Sequence, residues 1–246
     1  MSHRALLLFD VDMTLLSSAG AGMEAMRVVG QRLFGEGFSF EGVDPAGALD
    51  PLLFSQAMEA NGVPDGPAQR QRFHDAYVRQ LPVELASRRD RVLAKPGVHD
   101  LLAMLCRRAA DAGDVILGVL TGNYEQGAAV KLAAVGMDVN WFAVRVFGGD
   151  ANDRPALVEL AMQRYTQRFG QTIDPHHVII IGDTPRDIAA AKAHGCRCLA
   201  VGTGRFTVEQ LRSAGADVAI ENLSDPQPLL DMIDQRLTGV GECITQ

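Results

Sequence analysis

Five short apolar runs recur along the chain, at 5–9, 115–120, 178–181, 198–201 and 218–220. Each is too short for a helix, and most end in Asp, Gly, Thr or Asn before a helical pattern begins. Uninterrupted apolar runs of this length suit strands buried on both faces, and strand–helix alternation is how a parallel sheet obtains that cover. The spacing therefore predicts an α/β protein built on a doubly wound, Rossmann-like parallel sheet. In such sheets ligands bind beyond the carboxyl ends of the strands, so the residues that follow each run carry the functional argument.

Between the first run and the second lies a stretch of different texture. Segments 23–34, 51–61 and 67–85 space their apolar residues three and four apart, and glycine-containing breaks at 35–37, 42–47 and 62–66 separate them. These are the marks of a helical insertion. The predicted boundaries are a core of residues 1–16 and 93–246 and an inserted helical cap of residues 17–92. The chain re-enters the core near Lys95, Pro96 and Gly97, with Pro96 suited to a first helical turn.

Charge narrows the partners. Lys and Arg number 23 against 30 Asp and Glu, a net charge of −7 in 246 residues. Such a surface repels phosphate backbones and anionic lipid, so neither nucleic acid nor a membrane is an expected partner. No segment reaches transmembrane length, and Asp10 and Asp12 cut short the N-terminal apolar run before it attains signal-peptide length. Cys106, Cys196, Cys198 and Cys243 show no metal-binding spacing, and Cys196 and Cys198 read as small apolar residues on one face of a strand. The expected compartment is the cytoplasm. A monomer and a homodimer are equally compatible with the sequence.

Four clusters follow the strands. The first run ends in Asp10-Val11-Asp12-Met13-Thr14. Residues two apart in an extended segment share a side, so the two carboxylates converge and call for a cation between them. Mg²⁺ accepts one or two carboxylates together with phosphate oxygens; a capped turn assisted by Thr14 is the plainer alternative. Thr121-Gly122-Asn123 follows the 115–120 run and offers a hydroxyl and bare amides to an anion, or simply an N-cap. Asp183 ends the 178–181 run within Gly182-Asp183-Thr184-Pro185-Arg186-Asp187, where Asp187 either adds a ligand or favours the helix dipole. Phosphoryl chemistry amid carboxylates needs a fixed positive charge. Arg154, preceding Pro155 at a helix start, is preferred over Lys131, which lies about two turns into its helix and reads as a solvated position.

Taken in order, these clusters closely resemble the motifs of the haloacid dehalogenase-like hydrolase superfamily, in its phosphoglycolate phosphatase and β-phosphoglucomutase branch. The likeness spans nearly the whole chain, because the helical insertion sits where that branch carries its first cap and Gly202-Thr203-Gly204 matches the tail. The resemblance implies an Mg²⁺-dependent phosphatase acting on a small phosphorylated metabolite through an aspartyl-phosphate. Asp10 would be the nucleophile and Asp12 the general acid and base. Thr121 would hold the phosphoryl group with Gly122, Asn123 and Thr14 on the substrate, and Arg154 would stand where the branch usually has Lys. The metal would be held by Asp10, Asp12 (through its main-chain carbonyl), Asp183 and Asp187. Phosphoglycolate is the substrate that the branch suggests. Met13 departs from the usual Gly and Arg154 from the usual Lys, and both bear on the subfamily rather than the reaction.

Other readings are weaker. Carbon–halogen members lack the second carboxylate of the first motif, and phosphonate-cleaving members have Ala there and need a cap lysine; no lysine precedes Lys95. A phosphosugar mutase uses the same two aspartates. A non-catalytic binding module requires a missing catalytic group, and Asp10, Asp12, Thr121 and Asp183 are all present. Asp50, next to Pro51, is expected to cap its own helix.

Overall fold

Strand β1 (Ala5–Phe9) shows how the sheet is built. Ala5, Leu7 and Phe9 pack into the apolar layer on one face, while Leu6 and Leu8 pack into the other. A period of two with apolar residues at every position leaves no face for water. The computed structural model describes residues 4–235, so Cys243 lies outside the described residues.

After β1 come the two-residue strands β2 (Leu16–Ser17) and β3 (Leu93–Ala94), then β4 (Val115–Leu120), β5 (Val144–Val146), β6 (Val178–Gly182), β7 (Arg197–Val201) and β8 (Val218–Ile220). Six of them form one sheet in the order β5-β4-β1-β6-β7-β8, parallel throughout. The five expected strands are present. The sixth, β5, is three residues long with Arg145 at its centre, too short and too interrupted to register as an apolar run.

The insertion contributes α1 (Ala21–Phe34), α2 (Asp50–Ala60) and α3 (Pro67–Ser87). The remaining helices are α4 (Val98–Asp111), α5 (Glu125–Ala134), α6 (Arg154–Phe169), α7 (Pro185–Ala193), α8 (Val208–Ser213) and α9 (Gln227–Asp234). Leucines 101, 102 and 105 of α4 cover one sheet face, and Leu157, Val158 and Ala161 of α6 cover the other. Cys196 and Cys198 are both buried in that second layer. Among the described residues no helix is long and apolar enough to cross a membrane.

α1 to α3 bury a third apolar cluster of their own, where Phe54 stacks on Phe73 with ring centroids 3.9 Å apart. The chain leaves the sheet at β2 and returns at β3, which pair antiparallel with Leu16 opposite Ala94. This insertion lies over the carboxyl ends of β1, β4 and β6.

Candidate active site

The sheet order sets the site, because β1 lies between β4 and β6 and the three end together. Asp10 leaves the tip of β1, and its backbone N–H continues the ladder by donating to Ile181 O at 2.9 Å. Asp183 follows Gly182, the last residue of β6. Asp187 arrives from the first turn of α7, where it closes a capping box: Oδ2 accepts from Thr184 N at 3.1 Å and from Thr184 Oγ1 at 2.7 Å. Gly182 makes that approach possible, since a Cβ there would lie 2.1 Å from Asp187 Cγ.

Carboxylate oxygens of Asp10, Asp183 and Asp187 lie within 4.8 Å of one another, and all three residues are buried. Such crowding moves their protons. Burial, with the neighbouring charges, raises Asp183 to about 8. Burial also raises Asp10 to about 6, against the pull of Arg154. Among the described residues the cation inside the cluster is Arg154, from the first turn of α6, itself only 4% exposed. Its Nη2 donates to Asp187 Oδ1 and sits 3.2 Å from Asp10 Oδ2. Its Nη1 reaches Gly47 O of the insertion at 3.3 Å, and its buried Nε has no partner. Three carboxylates around one guanidinium leave an unbalanced negative charge, and an all-oxygen donor set of this kind fits a hard divalent cation. Asp10 and Asp183 are best placed to hold it, because both oxygens of Asp187 are already committed.

Asp12 turns to a second network. Its Oδ2 accepts from Lys131 Nζ at 2.5 Å and from Asn123 Nδ2 at 2.9 Å, and its Oδ1 from Ser18 Oγ at 2.9 Å. Burial pushes its pKa up, but Lys131, Asn123 and Ser18 together hold the carboxyl below its usual range. Asn123 is spent here at both ends, donating to Asp12 and Thr121 and accepting from Lys131. The reading of Lys131 as a solvated position is therefore corrected: it is 4% exposed and ion-paired to Asp12. Side chains on a helix lean toward its N-terminus, so a long side chain in α5 reaches back to the Thr121 end. Usage of basic residues was the available signal, since Lys131 is one of three lysines among 23 basic residues.

Asp50 also departs from expectation. It makes no side-chain cap on α2. Its Oδ2 accepts instead from Tyr124 N at 2.9 Å, and its backbone N–H donates to Gly122 O at 2.7 Å. The insertion is thus fastened to the loop after β4, and burial raises Asp50 to about 6 despite Lys131. Arg186 Nη1 donates to Ala46 O at 2.7 Å, and Arg205 holds Asp44 at 2.9 and 3.0 Å, closing the rim.

The space enclosed measures about 340 Å³ and is lined by Asp10, Asp12, Gly122, Arg154 and Asp183 from the core and by Met23, Asp50 and Leu53 from the insertion. Thr14 and Thr121 are fully buried and not part of this lining. The Thr14 hydroxyl donates to Asp183 Oδ1 at 3.3 Å, and Thr121 Oγ1 accepts from Asn123. Met13 adopts φ 62°, a left-handed conformation in which glycine is at ease, which accounts for the usual residue of the branch there.

Comparison with known proteins agrees with this fold. A family model described as HAD-hydrolase-like matches residues 153–226. A phosphoglycolate phosphatase of Chromobacterium violaceum is 27% identical over 172 residues, 70% of either chain. Among solved structures, a hydrolase from Pseudomonas syringae superposes with a TM-score of 0.67 at 20% identity, covering 93% of this chain and 98% of its own. CbbY from Rhodobacter sphaeroides, in complex with xylulose-(1,5)bisphosphate, gives a TM-score of 0.68 at 20% identity over 90% and 96%. At such identities the two structures speak for the fold.

Proposed function

We propose that the chain is a haloacid dehalogenase-like hydrolase of the phosphoglycolate phosphatase-like branch and that it hydrolyses a small phosphate monoester, with Asp10 as the nucleophile. The observation that carries this reading is the meeting of Asp10, Asp183 and Arg154 at the ends of two neighbouring strands, beneath the helical insertion. We take residues 17–92 as the cap that shields the reaction from water.

Asp10 attacks phosphorus, and the bond to the leaving oxygen breaks as the aspartyl-phosphate forms. Asp12 takes up the monoester's own proton as the substrate enters and passes it to the departing alkoxide, then takes one from the water that cleaves the acyl phosphate. Lys131, Asn123 and Ser18 keep its carboxylate fixed on the cavity wall between these two tasks. Arg154 offsets charge on the phosphoryl oxygens, and its unpartnered Nε–H is a donor that such an oxygen satisfies. The Gly122 amide belongs to the same phosphoryl cradle, with Thr121 buried behind it and bonded to Asn123. Asp10 and Asp183 would hold Mg²⁺, with the carbonyl of Asp12 as a further donor and Asp187 supporting through Arg154. When bound, the ion neutralises the carboxylates and draws charge from the phosphoryl group.

The test is phosphate release from a panel of monoesters, with Mg²⁺ and then with chelator, beside Asp10→Asn. Turnover that requires Mg²⁺ and disappears in a folded Asp10→Asn variant is expected. A variant that turns over as fast as the parent removes the assignment. Offering a hexose 1-phosphate with a bisphosphate activator shows whether the phosphoryl group passes to sugar rather than water.

A further inference from the structure

Resting on the phosphatase reading, we infer that the leaving group is a compact uncharged alcohol, and that esters carrying a second anionic group are disfavoured. The phosphoryl end of the cavity is defined by Asp10, Asp183 and Arg154, so the opposite wall receives whatever is esterified to the phosphate. That wall comes from the cap; Met23, Met26, Ala48 and Leu53 give it apolar surface, Ser17, Ser18 and Tyr77 give it neutral polar groups, and Asp50 is its one charged residue. Among the described residues no basic side chain of residues 17–92 lines the cavity.

The remaining cations are already engaged. Arg154 is divided between Asp187 and Asp10. Lys131 Nζ is bonded to Asp12 and Asn123, with Asp50 also acting on it. Two carboxylates therefore flank one ammonium where the cap meets the core. Arg205 stands at the rim, where both of its terminal nitrogens hold Asp44 and its side chain is 56% exposed. A carboxylate or second phosphate on the leaving group would have to leave water for apolar surface beside Asp50 and Asp12, without a free counter-charge. A hydroxyl needs only one hydrogen bond. Tyr77, a lining residue whose buried Oη has no partner, stands in this part of the cavity as a neutral group of the matching kind. Methionine and leucine walls accept the carbon skeleton of such an alcohol.

The experiment compares glycerol phosphate and a hexose monophosphate with phosphoglycolate and a sugar bisphosphate. Values of kcat/KM are measured on the full chain with Mg²⁺, and calorimetric affinities of the same esters on Asp10→Asn. At least tenfold preference for the neutral-alcohol esters is expected in both measurements. Asp50→Asn, which keeps the acceptor for Tyr124 N but removes the charge, should narrow the gap about tenfold. Met23→Arg, which adds a cation to the cap wall at a half-buried position, should narrow it independently. Equal or greater preference for phosphoglycolate or the bisphosphate overturns the inference and leaves the phosphatase reading standing. Tighter binding of neutral esters without turnover of any ester overturns the phosphatase reading and retains the inference.

Discussion

Gly122→Ala probes the seam between cap and core. An ideal Cβ at Gly122 lies 1.9 Å from the carbonyl oxygen of Ala48 and 2.8 Å from its carbon. Close carbon–oxygen contacts between backbones settle near ~3.3 Å, so the two segments must part by about 1.4 Å. The same movement draws Asp50 N away from Gly122 O, now at 2.7 Å, beyond hydrogen-bond range, and strains the Asp50–Tyr124 contact at 2.9 Å. Two such bonds at ~1 kcal/mol each amount to about 2 kcal/mol against the closed cap. That corresponds to roughly 30-fold in the closed population, at ~1.36 kcal/mol per decade. The sheet and its two apolar layers are untouched by the change, so the melting temperature should move little while kcat/KM on a phosphate monoester falls by about that factor. A variant within threefold of the parent, with an unchanged melting temperature, would refute the idea that this loop rests on Gly122 during turnover.

Arg154→Ala leaves Asp10 and Asp187 buried without their cation; unfolding in urea should show a loss of about 3–5 kcal/mol, and the phosphoryl step should slow by ~10²–10³-fold. Stability and rate both close to the parent would remove Arg154 from the centre. Lys131→Met strands Asp12 beside Asp50 and should cost on the order of 3 kcal/mol in the same assay, with kcat reduced more than KM is raised; an unaltered unfolding midpoint argues against the buried pair. Metal linkage has a defined sign. Folding raises Asp183 to about 8 and Asp10 to about 6, so these groups favour the fold while protonated, and their contribution is lost as pH climbs from about 4 toward 8. Mg²⁺ binds the deprotonated forms, so the rise in melting temperature on adding Mg²⁺ should be greater at pH 8 than at pH 6; an equal rise at both would mean that these carboxylates are not the ligands.

Much of the fold was written locally. Each strand buried on both faces is a continuous apolar run, and the insertion announces itself by a change from runs to helical spacing. Even the capping box of Thr184 and Asp187 lies within four residues. Strand β5 escaped because three residues around an arginine carry too little pattern, and it is a strand only because β4 pairs with it.

The aspartates assigned to catalysis were legible for the same reason as the strands they end: a strand tip fixes where the next side chain goes. Lys131 and Asp50 were not. Their parts depend on which groups far along the chain come to lie against them, 119 residues away for Lys131 and Asp12 and 74 for Tyr124 and Asp50. Sequence alone settled five of the six sheet strands and the acids that follow them, because those depend on neighbours a few residues apart. Packing of the insertion on the sheet decided which charges pair, which oxygens remain free and how apolar the cavity wall is, because burial and electrostatic partnership exist only once distant segments share a space.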